Sequence, residues 1–417
     1  MEKYIFITMN VGGINGAEQY IYNKMNFLKK NGYQVFVFSG RPEKILIDGF
    51  REYEGLVNTA LRFYPYCLSQ KGCEKVLKWI LSVVNMRDGD TCIVETSNVI
   101  SSLWGELVAQ RIGCRHLAIN MQENHNHAQS MRDFLEFKWK RHELSGIFQG
   151  SVGAMLKKTD LEVRPDMVVR AFCNNVVQDC EENFSRQFDP NADYTFGSIG
   201  RLEKEYVPVL LQQLTEYFKS HPDKKYNLLL IGGASDKHRL SWIKDAVSSC
   251  GNVTLVVTGQ IYPIPRQLIQ KADIFLSASG SAAISYYEKV PSIRVHHVTS
   301  DPVGIIGYDY MLGDIVPPDK RVDRSTIECV NLLVNRSIDI SYMENYEQSY
   351  NEKMYTEFAR HLGFGEEISE MEYYDAYSVR YKSRVYQICR IVCRIFGVKF
   401  TYRMLELIRK TVRGTNE

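Results

Sequence analysis

Short blocks of uninterrupted apolar residues alternate along this chain with longer stretches in which apolar positions recur every three or four residues. The first kind predicts buried strands and the second amphipathic helices. Residues 4–9 form the first block, and a polar, glycine-rich stretch follows at 10–16. A helix is predicted over 17–30, with Tyr20, Ile21, Met25 and Leu28 on one face and Asn31-Gly32 as its stop. Residues 34–39 supply a second strand. Strand, glycine turn, helix and strand make a βαβ unit, which carries parallel strands and a right-handed crossover.

The pattern continues with a helix at 72–85, a strand at 91–95, a helix at 102–111 and a strand at 116–121. The last opens into Gln122-Glu123-Asn124-His125-Asn126-His127. A helix over 130–144 is expected to bury Phe134, Phe137 and Leu144 and to expose Arg132, Lys138, Lys140 and Arg141. Residues 167–172 read as the final strand of this half, and the aperiodic, polar residues 179–193 as a linker. A second series begins with the strand 194–199, the helix 207–218, the strand 226–231 and the helix 236–249. Strand 253–258, a short helix at 265–271, strand 273–276, a helix from Ser281 to about 288 and strand 292–295 complete it. The fold class is therefore α/β, with two doubly wound Rossmann-like domains at 1–178 and 190–335. Residues 336–417 are expected to form a C-terminal helical extension.

Length agrees with two cores: 417 residues exceed what one usually holds. The net charge of +2 argues against a general nucleic-acid binder, but it conceals an asymmetry. Residues 376–417 carry ten Lys or Arg against Glu406 and Glu417, a net of +8, so the remainder carries −6. An anionic partner is to be sought at the tail. There Val385, Ile388, Cys389, Val392, Ile395 and Phe396 share a helical face opposite Arg380, Gln387, Arg390 and Arg394. Such a helix suits an anionic membrane surface, and the competing reading is a helix packed on the protein's own core. Ten scattered cysteines without a Cys-x-x-Cys pair fit free thiols in a reducing compartment. No apolar run approaches the ~20 residues of a spanning helix. The expected location is the cytoplasm, with the tail on the inner face of the plasma membrane.

The candidate chemistry centres on YTFGSIGRLEKE, residues 194–205. A strand ends at Gly200, and Arg201 and Lys204 stand in the turn before a helix. Helix-terminal N–H groups and two cations suit a phosphate, whereas the competing reading is a βα loop with solvated cations. Gly280 and Ser281 open a second helix after a strand, either as phosphate donors or as an ordinary cap. Glu288 suits a ribose hydroxyl or a sugar, or is a solvated helix-end acid. Glu123 and His125 follow a strand end, where they suit acceptor binding or general-base work, or are polar surface. His125 and His127 lack a third ligand nearby, so no metal site is expected.

These residues resemble the GT-B glycosyltransferases, and among them the family-4-like bacterial enzymes of surface-polysaccharide synthesis. The resemblance rests on Gly12 and Gly13 with Gly16-Ala17-Glu18, on Gly200-Arg201-Leu202, on Gly232-Gly233 and on Ala272-Asp273-Ile274-Phe275-Leu276-Ser277. Pro291-Ser292-Ile293 and Pro302-Val303-Gly304-Ile305-Ile306-Gly307-Tyr308 match a variant of the group. The family's first paired acid is absent, since Gly280 stands eight positions before Glu288. The resemblance implies two domains facing a cleft and a nucleotide-sugar donor as co-substrate, with no cofactor. It implies a glycan or polyprenyl-linked acceptor in capsule, O-antigen or exopolysaccharide synthesis, and retaining, metal-independent transfer. Gly12, Gly13, Arg201, Lys204, Gly280, Ser281, Glu288, Gly304 and Tyr308 would hold the donor, and Glu123 and His125 would act on the acceptor. A nucleotide-sugar epimerase of the same fold and a catalytically silent partner subunit are the alternatives.

Overall fold

The first apolar block becomes strand β1 (Glu2–Thr8), in which every residue after Glu2 is buried. A computed structural model describes residues 1–42, 44–121, 131–157, 159–173, 176–181, 183–234, 236–312, 320–366, 370–380 and 383–414. The chain divides into two compact units, Met1–Cys173 with Glu352–Glu417, and Asn174–Asn351.

In unit 1, α1 (Gly16–Lys30) links β1 to β2 (Gln34–Ser39). Three 3₁₀ turns, Asp48–Tyr53, Thr59–Arg62 and Pro65–Cys67, lead to α2 (Gln70–Val84) and β3 (Thr91–Thr96). Then come α3 (Val99–Ile112), β4 (Arg115–Asn120), α4 (Arg132–Lys140), β5 (Leu144–Gly146) and α5 (Gln149–Leu156). The strands form a parallel sheet in the order β2-β1-β3-β4-β5. Asn98 starts α3 through a reciprocal cap with Ser101, which satisfies an orphan N–H at the helix end. Near the middle of α3, a Cβ on Gly105 would stand 2.5 Å from His116 and Thr96, so glycine sets how closely this helix lies on the sheet.

Three expectations fail here. The helix over 130–144 stops at Lys140, because His142 takes a left-handed φ of 54° and the chain turns into β5. Lys138 and Arg141, expected outside, are buried instead, drawn inward by Glu106 and Glu143. Residues 167–172 do not form a strand; a Pro165–Met167 turn precedes them, and they contribute a single bridge, Gly146 to Val168.

Unit 2 runs β6 (Val177–Gln178), β7 (Tyr194–Ile199), α6 (Tyr206–Ser220), β8 (Tyr226–Ile231), α7 (Lys237–Ser248) and β9 (Val253–Val257). It continues through β10 (Ile264–Pro265), α8 (Arg266–Ile269), β11 (Ile274–Ala278), α9 (Ser281–Tyr287), β12 (Ser292–Val295), β13 (Pro302–Ile305) and α10 (Thr326–Val334). The main sheet has the order β13-β12-β11-β7-β8-β9, parallel except for the edge strand β13. Alternate side chains of β8 enter different cores: Leu228 and Leu230 on one face, Leu229 and Ile231 on the other. That division is what a sheet wrapped by helices on both sides requires. Residues 179–193, expected as a linker, belong to this unit.

The chain then enters α11 (Tyr346–Leu362), within which the division between units falls, and ends in α12 (Arg384–Phe396) and α13 (Val398–Gly414). The extension is therefore no third domain. Its Phe358, His361, Ala376, Cys389 and Cys393 are buried, and the last three join the core of unit 1.

Candidate functional site

In unit 2 the chain leaves β7 for β8 and β9 and returns to β11 on the other side of β7. In open α/β sheets ligands bind beyond the carboxyl ends of strands at such a reversal. Arg201 follows β7 there, and Ser279-Gly280-Ser281 follows β11. The turn bearing Arg201 is built from backbone. Gly200 N–H donates to the Ile231 carbonyl at 3.0 Å and Leu202 N–H to the Gly233 carbonyl at 3.1 Å. The Ser277 hydroxyl accepts from Ile199 N–H at 2.9 Å, which ties β7 to β11 at the reversal itself. Beneath lies the phenol of Tyr206, pushed to a higher pKa by burial while Ser198 and the Ala278 backbone hold it. Above this base Arg201 is exposed and makes no ion pair among the described residues. Lys204, half-buried, donates its N–H to the Arg201 carbonyl at 3.3 Å. Ser279 has a left-handed φ of 56°, and at the opening of α9 the Ala283 N–H donates to the Gly280 carbonyl at 3.2 Å, while those of Ser281 and Ala282 precede the first intrahelical acceptor.

In unit 1 the corresponding reversal lies between β1 and β3. The hydroxyls of Thr8 and Ser97 meet across it at 2.8 Å. Gly12 donates its N–H to Asn10 Oδ1 at 2.8 Å, and a Cβ on Gly13 would lie 2.8 Å from Asn15 and 3.4 Å from a Glu18 oxygen. A phosphate at Gly13 would face the buried Glu18 carboxylate, so this loop suits hydroxyl groups better.

Among the solved structures that match over most of this chain are two glycosyltransferases. One is the lipopolysaccharide outer core galactosyltransferase WaaB in its apo form, with a TM-score of 0.52 at 14% identity over 86% of this chain and 99% of that one. The other is a glycosyltransferase from Rickettsia africae ESF-5, with a TM-score of 0.53 at 11% identity over 93% and 98%. The fold is GT-B. A UDP-GlcNAc 2-epimerase from Methanocaldococcus jannaschii also matches, with a TM-score of 0.42 at 13% identity over 85% and 98%. No family model and no curated protein matches the sequence.

Within this GT-B chain the remaining sequence candidates take separate places. Glu288 ends α9, roughly 10 Å along the helix from Ser281 at 1.5 Å per residue. It is bonded at 2.5 Å by Arg266, which also holds Asp179 at 3.0 Å. Burial raises its pKa and Arg266 opposes that rise. Gly304 has a φ of 147°, and a Cβ there would press on Asp309 at 2.8 Å. Asp309 in turn accepts the Ile305 N–H at 2.7 Å and pairs with Arg324. Tyr308 is 48% exposed under the Arg324 guanidinium. These three residues are thus engaged within unit 2 itself, whereas Arg201 and the Gly280-Ser281 turn flank one reversal. Glu123 and His125 lie outside the described residues.

Three contributors escaped the sequence reading, Tyr206, Ser97 and Asn98, and Ser277 entered it only as the last residue of a motif. Asn98 and Ser101 carry the spacing of a reciprocal cap, a signal the sequence does contain; Ser277, Tyr206 and Ser97 bond to other elements of the fold and leave no local pattern.

Gly232 gives a direct test of the turn. It has a φ of 154°, and a Cβ there would stand 1.9 Å from the Gly200 carbonyl oxygen. Gly232→Ala must therefore move backbone, and a melting curve is expected to show unit 2 destabilised by about 1–3 kcal/mol. A variant as stable as the parent would mean that the two turns are not in contact.

Proposed function

We propose that this chain is a glycosyltransferase that takes a sugar from a nucleoside-diphosphate donor. The observation that carries the reading is the exposed Arg201 at the β7–β11 reversal, with the opening of α9 beside it. When a glycosidic bond to a diphosphate breaks, negative charge collects on the departing distal phosphate. The Arg201 guanidinium, the Lys204 ammonium and backbone N–H groups would stabilise that charge where it forms. The backbone of the turn that carries Arg201 is already held by the Gly200 and Leu202 N–H bonds to the Ile231 and Gly233 carbonyls, so the turn itself has little reorganisation to make. Taken by itself, the Gly12-Gly13 loop of unit 1 suits hydroxyl groups, and Glu123 or His125 would serve the acceptor. The acceptor class proposed is a lipid-linked or surface glycan, with retention and without a metal ion.

Arg201→Ala is expected to weaken UDP or GDP binding in calorimetry by about 1.5–3 kcal/mol, the range for hydrogen bonds to charged groups. Unchanged affinity would remove Arg201 from the site. Turnover separates the classes: a transferase consumes donor only with an acceptor, while an epimerase converts it without one. A silent subunit binds nucleotide and does neither.

A further inference from the structure

The α12–α13 hairpin packs on unit 1 through one side only. Cys389, Cys393 and Thr401 are buried, Tyr386 meets Tyr64 edge-on at 4.9 Å, and Arg394 donates to the carbonyls of Tyr66 and Leu68 at 3.1 and 3.2 Å. That packing turns the larger apolar side chains outward. Ile388, Ile391, Ile395 and Phe396 on α12 and Phe400 and Leu407 on α13 are 50–66% exposed. The Phe396 and Phe400 rings, 5.2 Å apart, join the two outward faces. No other part of the described surface gathers so many large apolar side chains.

The charges beside this face have one sign. Arg384, Lys399 and Arg403 are exposed and Arg390 is half-buried. The one carboxylate on the hairpin, Glu406, faces unit 1, where it pairs with Arg62 at 3.1 Å and Arg41 at 3.8 Å. Whatever covers the face must accept isoleucine and phenylalanine side chains at its centre and supply negative charge at its edge. A second copy related by a two-fold axis would set these cations against one another. A bilayer containing anionic lipid meets both demands without a matching shape.

We infer that the α12–α13 hairpin lies in the plane of an anionic membrane surface. Its Ile388–Ile391–Ile395–Phe396 edge and Phe400 enter the acyl boundary, and Arg384, Arg390, Lys399 and Arg403 meet lipid phosphates. No helix among the described residues is long and apolar enough to cross a membrane. Attachment is thus by one leaflet. The inward stripe differs from the helical-wheel expectation, since Cys389 leaves the apolar face to anchor it. This inference stands on the hairpin alone and is independent of the glycosyl-transfer reading, because its test measures binding without turnover.

The test is flotation of the full chain with phosphatidylcholine vesicles, with and without phosphatidylglycerol. Binding is expected to be at least about tenfold stronger with phosphatidylglycerol and to weaken severalfold near 1 M salt, where the Debye length is about 3 Å. The Ile388→Asp/Ile395→Asp double variant alters only exposed positions; it should keep the parental melting temperature and lose at least about tenfold in vesicle partition. Lys399→Ser/Arg403→Ser should lose the preference for phosphatidylglycerol. A parent chain that ignores both vesicles, or an isoleucine variant that binds as the parent does, overturns the proposal. So does a parental dimer that the isoleucine variant converts to monomer without any vesicle binding, since a second copy would then be the occupant.

Discussion

Lys24→Ala is expected to lower the stability of unit 1 by about 3–5 kcal/mol, the cost of leaving a buried charge without its partner. Lys24 is fully buried in α1, and its ammonium pairs with the Glu95 carboxylate of β3, itself 2% exposed. The Tyr4 hydroxyl also donates to Glu95, at 2.5 Å, and after the substitution it would be the main remaining donor. Burial pushes the Lys24 pKa down and Glu95 opposes that shift, so each ion depends on the other. Replacing both, as Lys24→Met/Glu95→Leu, should recover most of the loss, because a well-packed apolar pair avoids the desolvation cost. Denaturant titration followed by tryptophan fluorescence reads this unit selectively, since Trp79, Trp104 and Trp139 lie in it and only Trp242 in the other. A single variant that costs less than about 1 kcal/mol would show that the pair is solvated.

Acid should destabilise the same unit well above the carboxylate range. His361 of α11 is fully buried; its Nε2–H donates to Glu357 at 3.2 Å, its Nδ1 accepts from Lys24 at 3.1 Å, and the Tyr20 hydroxyl lies 3.2 Å from the same nitrogen. A proton on Nδ1 would point at the Lys24 ammonium. Burial and Lys24 therefore lower the His361 pKa from 6.5 to about 4. In the unfolded chain the imidazole takes up its proton below about pH 6.5, whereas the folded chain refuses it until about pH 4. The unfolded state thus binds more protons in that window, and stability falls with falling pH by about 1.4 kcal/mol per unit, reaching about 3 kcal/mol. His116 shifts the same way, through burial and Lys138. Below pH 4.5 Glu106 adds to the loss. Burial works against its charge, but Lys138 and His116 hold its pKa at about 2, so stability present above 4.5 drains away as pH drops. Unfolding free energies measured between pH 7 and 4 should show the slope, and His361→Gln should remove about 1.4 kcal/mol per unit of it. A flat profile in the parent would contradict the buried neutral imidazole.

The contrast between these networks and the site shows what sequence can carry. The strands and helices of both units were readable because each is defined by its own periodicity, as in β1, α6 and β8. Arg201 and Gly280 were readable because a strand end followed by glycine is a local signal. Lys24, Glu95 and His361 were not, since the chain separates Lys24 from Glu95 by 71 positions and from His361 by 337. Lys138 was assigned to solvent for the same reason: its partner Glu106 sits on another helix. The tail was legible as amphipathic, but not in orientation. A helical wheel cannot tell a narrow cysteine stripe that packs from a wider isoleucine face that does not.

Unit 1 is also interrupted in the chain, since it opens at Met1, pauses at Cys173 and resumes at Glu352. Domains usually become native in the order in which they are synthesised, at about 5–20 residues per second. Here unit 1 cannot be completed until unit 2 has been made. The five strands of unit 1 are all made by Gly146, but its C-terminal helices must wait, for roughly ten seconds or more at that rate, while the whole of unit 2 is made and can fold. The apolar surface of unit 1 meanwhile lacks Phe358, Cys389 and Cys393 as cover. On the ribosome, then, the older segment is expected to stay exposed the longer, and the younger one can become native first.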